Sequence, residues 1–393
     1  MRTSTDWRAV LAAAACGVAV ALNVGKVPIA MVELRSEFGL SLVAAGWISS
    51  MINTLAVGTG LFFGLLGDRV GALRICYGGL AASMLGGALG LAAPGALLLL
   101  SRFLEGAGLI AVAVSAPALL TSAAAPADRR FALGIWSSYL PAGVGLIMLA
   151  APLAVPLGGW RALWWLALAA LAMSALAIRR SEPSYEVLHD PDGAESPWHT
   201  ARQALAQPAP WLLAFAMMSW TLQHYALIIW LPTFLKEQRG LATLATALLS
   251  CAVVLANVPG NLLGGSLLQR GLGRGKLIAG ASLVSGLCAT GIFLDLLPDL
   301  ARYALCVLQS FIGGLIPASV LSSSAHLART PKQIGTLQGL YMQVGNFGPF
   351  IGPPLIAALV AASGLWRDAL WVTGAAAACG VVLGLALRKF DAH

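Results

Sequence analysis

Gly64-Leu-Leu-Gly67-Asp68-Arg69-Val-Gly71-Ala-Leu-Arg74 is a short charged turn that lies between two long apolar runs, residues 42–66 and 75–93. A helix needs about 20 apolar residues to cross a bilayer, and each of these runs is about that long. A small, charged, glycine-rich turn in this position is typical of a loop that joins two membrane helices.

The composition of the whole chain is that of a polytopic membrane protein. Of its 393 residues, 59% are hydrophobic and 10% are charged, whereas a soluble domain carries roughly 25% charged residues. The apolar runs are continuous and do not alternate with polar residues, which favours membrane helices over a β-barrel. The net charge of +8 does not indicate a nucleic-acid partner, because the Lys and Arg residues are scattered along short loops.

We predict an all-α membrane protein with twelve transmembrane helices in two pseudo-symmetric six-helix bundles. The polar stretch 180–209 is predicted to be a cytoplasmic linker between an N-terminal bundle, 1–179, and a C-terminal bundle, 210–393. The twelve predicted spans, numbered in chain order, are residues 9–32, 42–66, 75–93, 96–123, 132–157, 162–179, 210–235, 244–268, 276–296, 301–327, 335–362 and 368–388.

The distribution of basic residues predicts the orientation of the chain. When both termini are placed inside, most of the Lys and Arg residues fall in inside segments, as the positive-inside rule requires. We therefore expect a multi-pass protein of the cell (inner) membrane with both termini in the cytoplasm.

The two halves of the chain resemble each other. A shift of the numbering by 201 residues aligns Asp68-Arg69 with Gln269-Arg270, in a second basic and glycine-rich turn that lacks the acid. Internal repeats are typical of secondary transporters, in which the substrate site lies near the midplane where the repeats meet.

The opening turn resembles the signature that the major facilitator superfamily carries between spans 2 and 3, G-x-L-x-D-R-x-G-x-x-R. With the six-plus-six layout, this resemblance covers essentially the whole chain. It implies a secondary active transporter that works by alternating access, with the turn as a hinge and latch for gating. The matching residues are Gly64, Leu66, Asp68, Arg69, Gly71 and Arg74, and the one notable departure is Ala72, where a basic residue is common.

Two further stretches resemble parts of this superfamily. Arg102-Phe-Leu-Glu105-Gly106 in span 4 is similar to the family element R-x-x-x-G, whose arginine is implicated in proton coupling. Asn23-Val-Gly25-Lys26-Val-Pro28 in span 1 resembles the cyanate-permease-like branch of anion carriers.

Three charges predicted to lie inside spans are the first candidates for the transport site, because a charge in a bilayer costs roughly 3 kcal/mol or more. Lys26 is either a fixed cation for an anionic substrate or a lysine that extends to the outer interface. Arg102 and Glu105 share one helix face. They form either a proton-coupled pair, in which Glu105 takes a proton and releases Arg102 to hold substrate, or a permanent structural ion pair.

Polar residues in other spans are further candidates for substrate contact or coupling. His224 in span 7 aligns with Asn23 under the same shift of 201 residues, and a histidine titrates near neutral pH. A hydrogen-bonded core histidine is the alternative for His224, and packing is the alternative for the rest. The remaining candidates are Gln223, Tyr139, Gln343 and Asn346.

These residues favour a proton-coupled transporter of a small organic or inorganic anion, because Lys26 and Arg102 outnumber Glu105. The alternative is proton-coupled efflux of a drug or siderophore, which is suggested by the aromatic content and by Pro141-Ala-Gly143-Val-Gly145 in span 5, a stretch that partly resembles the Gly-Pro motif of exporters in this superfamily. The sequence contains no Walker-type GxxxxGK[ST], HExxH or GxSxG motif and no clustered metal ligands. We therefore predict no enzyme activity, no cofactor and no metal. The expected partners are the substrate, protons and the lipid bilayer, and the expected state is a monomer.

Overall fold

The computed structural model describes residues 4–60, 71–92, 96–185, 202–328 and 331–390. Throughout these ranges the regular secondary structure is helical, and no strand occurs in them. The predicted all-α class is confirmed.

The described residues contain eleven helices that are long and apolar enough to cross a membrane. Their bounds are Trp7–Phe38, Leu42–Gly60, Ala72–Ala92, Leu97–Ala123, Tyr139–Ser184, Pro208–Glu237, Thr243–Gln269, Arg274–Phe293, Asp299–Ser324, Gln333–Ser363 and Trp366–Phe390.

The fifth of these helices contains two predicted spans. Its backbone leaves helical geometry at Gly158 (φ −154°, ψ 21°) and at Gly159 (φ 62°, ψ −160°). A positive φ with this ψ is readily adopted only by glycine, which has no Cβ to clash with the backbone. Spans 5 and 6 therefore separate at this turn, and the described residues hold twelve spans, as predicted.

Several spans are interrupted by short breaks in the helix. A 3₁₀ turn, Met51–Asn53, interrupts span 2. A short helix, Arg129–Ser137, precedes the long helix that begins at Tyr139. Span 10 consists of the helices Asp299–Gly313 and Leu315–Leu327, and span 11 consists of Pro331–Gly345 and Phe347–Ser363.

The chain forms two compact units, each with an apolar core of its own. Each unit contains segments from both halves of the sequence. The predicted division of the chain into two bundles joined by residues 180–209 therefore stays a prediction. The first unit comprises Met1–Gly39, Leu65–Gly193 and Leu235–Cys251, and the second comprises Leu40–Gly64, Ala194–Phe234 and Ala252–His393.

In the first unit, two ion pairs attach the segment that begins at Leu235 to the end of span 1. Lys236 Nζ lies 2.6 Å from Glu33 Oε1, and Arg35 Nη1 lies 2.6 Å from Glu237 Oε1. Each helix end carries one acidic and one basic residue, and each of these pairs with the residue of opposite charge on the other helix end.

Small residues let span 1 approach span 5 closely in the same unit. A Cβ atom on Gly25 would lie 2.7 Å from the carbonyl oxygen of Val144, and one on Gly143 would lie 2.5 Å from that of Val18. Membrane helices associate by such close packing, because lipid offers no hydrophobic driving force between them. The middle of span 1 is buried as a result.

In the second unit, span 8 crosses span 10 through glycine in the same way. A Cβ atom on Gly260 would lie 1.8 Å from the carbonyl oxygen of Phe311. A backbone atom has no alternative rotamer, so the helices themselves would have to move apart.

We therefore expect Gly260→Ala to destabilise the protein by about 2 kcal/mol, the typical cost of overpacking a close-packed interior. Thermal melting in detergent measures the effect. Gly265→Ala in the same span is the matched control, because a Cβ atom on Gly265 would point into open space, with no neighbouring atom within 4 Å. Equal melting temperatures for the two variants would show that this helix crossing tolerates a methyl group.

Candidate functional site

Span 1 brings Asn23 and Lys26 into the interior of the first unit. Asp6 caps the start of the helix by accepting hydrogen bonds from the backbone N–H groups of Arg8 and Ala9. The chain then stays helical to Phe38, and both Asn23 and Lys26 are 0% exposed. A fully buried lysine needs partners that replace its hydration.

Lys26 finds these partners on two spans. Its Nζ lies 2.5 Å from Glu105 Oε1 of span 4 and donates a hydrogen bond of 2.7 Å to Asn23 Oδ1, one turn earlier in span 1. The lysine predicted to be either a substrate cation or an interfacial residue thus lies in a buried ion pair, 79 positions away from its partner in sequence.

Arg102 binds the other oxygen of the same carboxylate. Its Nη1 pairs with Glu105 Oε2 and also donates a 2.8 Å hydrogen bond to the backbone carbonyl of Asn23. Pro28 lacks the N–H that would bond to the carbonyl of Val24, so the helix ladder of span 1 is interrupted beside this contact. We call Asn23, Lys26, Arg102 and Glu105 the ion cluster.

The charges of the ion cluster do not balance. Two cations share one carboxylate, and Lys26, Arg102 and Glu105 are all 0% exposed. With all three ionised the cluster carries one excess positive charge. Among the described residues, the Nδ2 group of Asn23 also has no hydrogen-bond acceptor. The arrangement therefore offers both charge and a buried N–H donor to an anion.

Trp164 of span 6 also contacts Lys26, and it is not among the residues predicted to form the site. Lys26 Nζ lies 4.3 Å from the centroid of its ring system, and Trp164 is 0% exposed. In the sequence, Trp164 is only a tryptophan four residues after Trp160, in a chain with a lysine inside a predicted span. This pattern does not indicate which helices pack against each other.

The candidates on span 7 lie in the second unit. His224 is 8% exposed and stacks on Trp220, with ring centroids 5.0 Å apart and an angle of 17° between the rings. Gln223 is 1% exposed and donates to the carbonyl of Ser219, while the described residues contain no donor to its Oε1 atom. Their roles in substrate contact stay predictions.

The other predicted contact residues are spread over both units. In the first, Tyr139 is half-buried and stacks on Trp136 with ring centroids 4.1 Å apart. In the second, Asn346 donates a 2.7 Å hydrogen bond to the carbonyl of Met342. Gln343 lines a largely apolar cavity of about 390 Å³, together with residues such as Phe215. None of these contacts involves a member of the ion cluster.

The structure describes two of the five predicted gating residues. Gly71 has a φ of 88°, in the left-handed region that glycine favours, and Arg74 is exposed one turn into the following helix. The remaining three, Gly64, Asp68 and Arg69, lie outside the described residues. Within the described ranges, no group of three His, Cys, Asp or Glu residues is placed to hold a metal ion.

Comparison with known proteins gives consistent matches over the chain. The profile of the Major Facilitator Superfamily matches residues 13–342 and 252–393. The chain is 27% identical to the 3-(3-hydroxy-phenyl)propionate transporter of Escherichia coli (strain K12) over 90% of this chain and 86% of that protein. It is 26% identical to the cis,cis-muconate transport protein of Acinetobacter baylyi over 91% of this chain and 88% of that protein.

A solved structure has the same fold. The bacterial homolog to the human lysosomal transporter Spinster, in an inward-facing and occupied conformation, matches with a TM-score of 0.78. The match covers 100% of this chain and 97% of that chain at 17% sequence identity, so the likeness concerns the fold.

The charge imbalance predicts unequal effects of removing each partner of the Lys26–Glu105 ion pair. Glu105→Ala leaves two buried cations with no carboxylate, and we expect it to destabilise the protein by about 3–5 kcal/mol. Lys26→Met removes the same ion pair but leaves Arg102 and Glu105 balanced, so we expect a much smaller loss. Thermal melting in detergent compares them, and equal losses would contradict the charge assignment of the cluster.

Proposed function

Because the chain belongs to the major facilitator superfamily, we propose that it transports a small organic anion together with a proton across the cell membrane by alternating access. In this proposal both termini are cytoplasmic, as the distribution of basic residues predicts. The observation that supports the proposal is the buried ion cluster, in which Lys26 and Arg102 share Glu105.

The excess charge of the ion cluster supports an anionic substrate. A net positive charge in a buried site is costly, and the ion cluster holds two cations and one carboxylate. A substrate carboxylate supplies the missing negative charge, and its oxygens can accept from the Nδ2 group of Asn23, which has no acceptor among the described residues. The names of the two curated relatives, which are a phenylpropionate transporter and a muconate transport protein, both denote carriers of carboxylates.

We assign the coupled proton to Glu105. This acid contacts both cations, so its protonation removes the negative charge that Lys26 and Arg102 share and raises the net charge of the cluster to two. That change strengthens the attraction for an anion. Linkage is reciprocal, so a bound anion also favours protonation of Glu105. Proton and anion therefore bind together, which is the requirement for symport.

The second unit holds two further candidates for substrate contact. His224 and Gln223 are buried polar residues of span 7, the span that aligns with span 1 under the internal repeat. The Oε1 atom of Gln223 has no donor among the described residues, so it is able to accept a hydrogen bond from a hydroxyl or N–H group.

Uptake into proteoliposomes tests the proposal. We expect a small monocarboxylate such as 3-(3-hydroxyphenyl)propionate to accumulate when the outside is made acidic, and amphiphilic cations to be excluded. Lys26→Met should reduce this uptake to the level of empty liposomes, because the variant cluster has no excess charge. Lys389→Met, which removes an exposed lysine at the end of span 12, is the matched control and should transport normally. Uptake by Lys26→Met at the native rate would exclude this anion site.

Glu105→Gln tests the coupling separately. Glutamine resembles a carboxylic acid that is permanently protonated, so we expect exchange of labelled for unlabelled substrate to continue while a pH gradient no longer drives accumulation. Glu182→Gln, at an exposed glutamate after span 6, is the control and should still accumulate substrate. Accumulation against a gradient by Glu105→Gln would show that Glu105 has a structural role.

A further inference from the structure

Trp164 is the largest side chain in contact with Lys26. Its ring centroid lies 4.3 Å from Lys26 Nζ, a distance at which the negative face of an indole attracts a cation. Neither residue has any exposed surface, so water does not weaken this attraction. A desolvated contact of this kind is stronger than one at a surface.

The position of the indole ring is fixed by its neighbours. On one side, a Cβ atom at Gly90 of span 3 would lie 2.6 Å from Trp164 Nε1, so only glycine leaves room for the ring edge. On another side, Trp160 packs edge-on with ring centroids 4.9 Å apart. Trp160 is held in turn by a 2.6 Å hydrogen bond from its Nε1 atom to Glu37 Oε2. The ring that faces Lys26 therefore has little freedom to move away.

Of the partners of Lys26, Glu105 can take up a proton, whereas Asn23 and Trp164 cannot. Among the described residues, the charged groups that face Lys26 are Glu105 and Arg102, both on span 4. Protonation of Glu105 removes the attraction of the carboxylate and leaves the repulsion from Arg102. The oxygen of Asn23 and the ring of Trp164 do not titrate, so these two contacts persist in both protonation states.

We propose that Trp164 is a positioning residue, whose ring face holds the Lys26 ammonium group in the ion cluster while Glu105 is neutral and the substrate anion enters. The role in the transport cycle rests on the proposed function, whereas the contact between Trp164 and Lys26 does not.

Two substitutions separate the ring face from the bulk of the side chain. Trp164→Phe keeps an aromatic face over Lys26, and we expect the KM for substrate to stay within about twofold of the native value. Trp164→Leu keeps an apolar side chain but has no π face, and we expect KM to rise about tenfold with little change in maximal rate.

A substitution opposite the ring provides a test that leaves Trp164 itself unchanged. Gly90→Ala places a methyl group 2.6 Å from both Trp164 Nε1 and Ser101 Oγ, and because the hydroxyl of Ser101 can rotate away, it should displace the ring, with a rise in KM like that of Trp164→Leu. Gly78→Ala in the same span is the matched control, because a methyl group on Gly78 would meet no neighbouring atom within 4 Å. A KM for Gly90→Ala equal to that of the control would contradict the proposal.

A double-mutant cycle tests the contact without any transport. The loss of melting temperature caused by Trp164→Leu is measured in detergent in the native protein and in Lys26→Met. We expect the loss to be clearly smaller in Lys26→Met, because the cation that the ring holds is then absent. An equal loss in both backgrounds would overturn the assignment of Trp164, whatever the fate of the proposed function.

Discussion

One carboxylate shared by two buried cations is the constraint on which the first unit depends. One carboxylate oxygen of Glu105 pairs with Lys26 and the other pairs with Arg102, and all three side chains are shielded from water. In that setting the attraction between opposite charges is strong and the cost of an unpaired charge is high. The shared carboxylate therefore joins span 1 to span 4, and it makes the state of one acid decisive for the charge of the whole cluster.

Close helix packing strengthens the ion pairs of Glu105, because it keeps water away from them. Glycines such as Gly25 and Gly143 bring spans 1 and 5 together, and a Cβ atom on Gly86 would lie 2.9 Å from the backbone nitrogen of Glu105. Because the spans approach so closely, the interior holds few groups that can solvate a charge. The same packing protects the ion cluster from water, and in the proposed cycle the entering anion supplies the compensating charge.

The spans could be predicted from the sequence, because the length of apolar runs and the cost of charge in lipid are local properties. The family and the general transport function could be predicted from the resemblance of one short turn to the family signature, together with the internal repeat. The same cost identified Lys26, Arg102 and Glu105 as residues that need an explanation. The pairing of Lys26 with Glu105 could not be predicted, since it depends on which helices meet and in which register. Trp164 could not be predicted for the same reason. Tryptophan is common in membrane helices, and only the structure shows that a buried cation lies against this indole ring.

The charge of the substrate decides which gradient can drive the proposed cycle. A monocarboxylate and one proton on Glu105 enter together as a neutral pair, so the membrane potential does no work on that step and the pH gradient alone drives accumulation. A dicarboxylate with the same single proton moves one negative charge, which a potential that is negative inside opposes by about 2.3 kcal/mol per 100 mV. A cluster with one titratable acid in contact with two cations therefore suits monovalent anions best. Efficient uptake of a divalent anion would require a second proton.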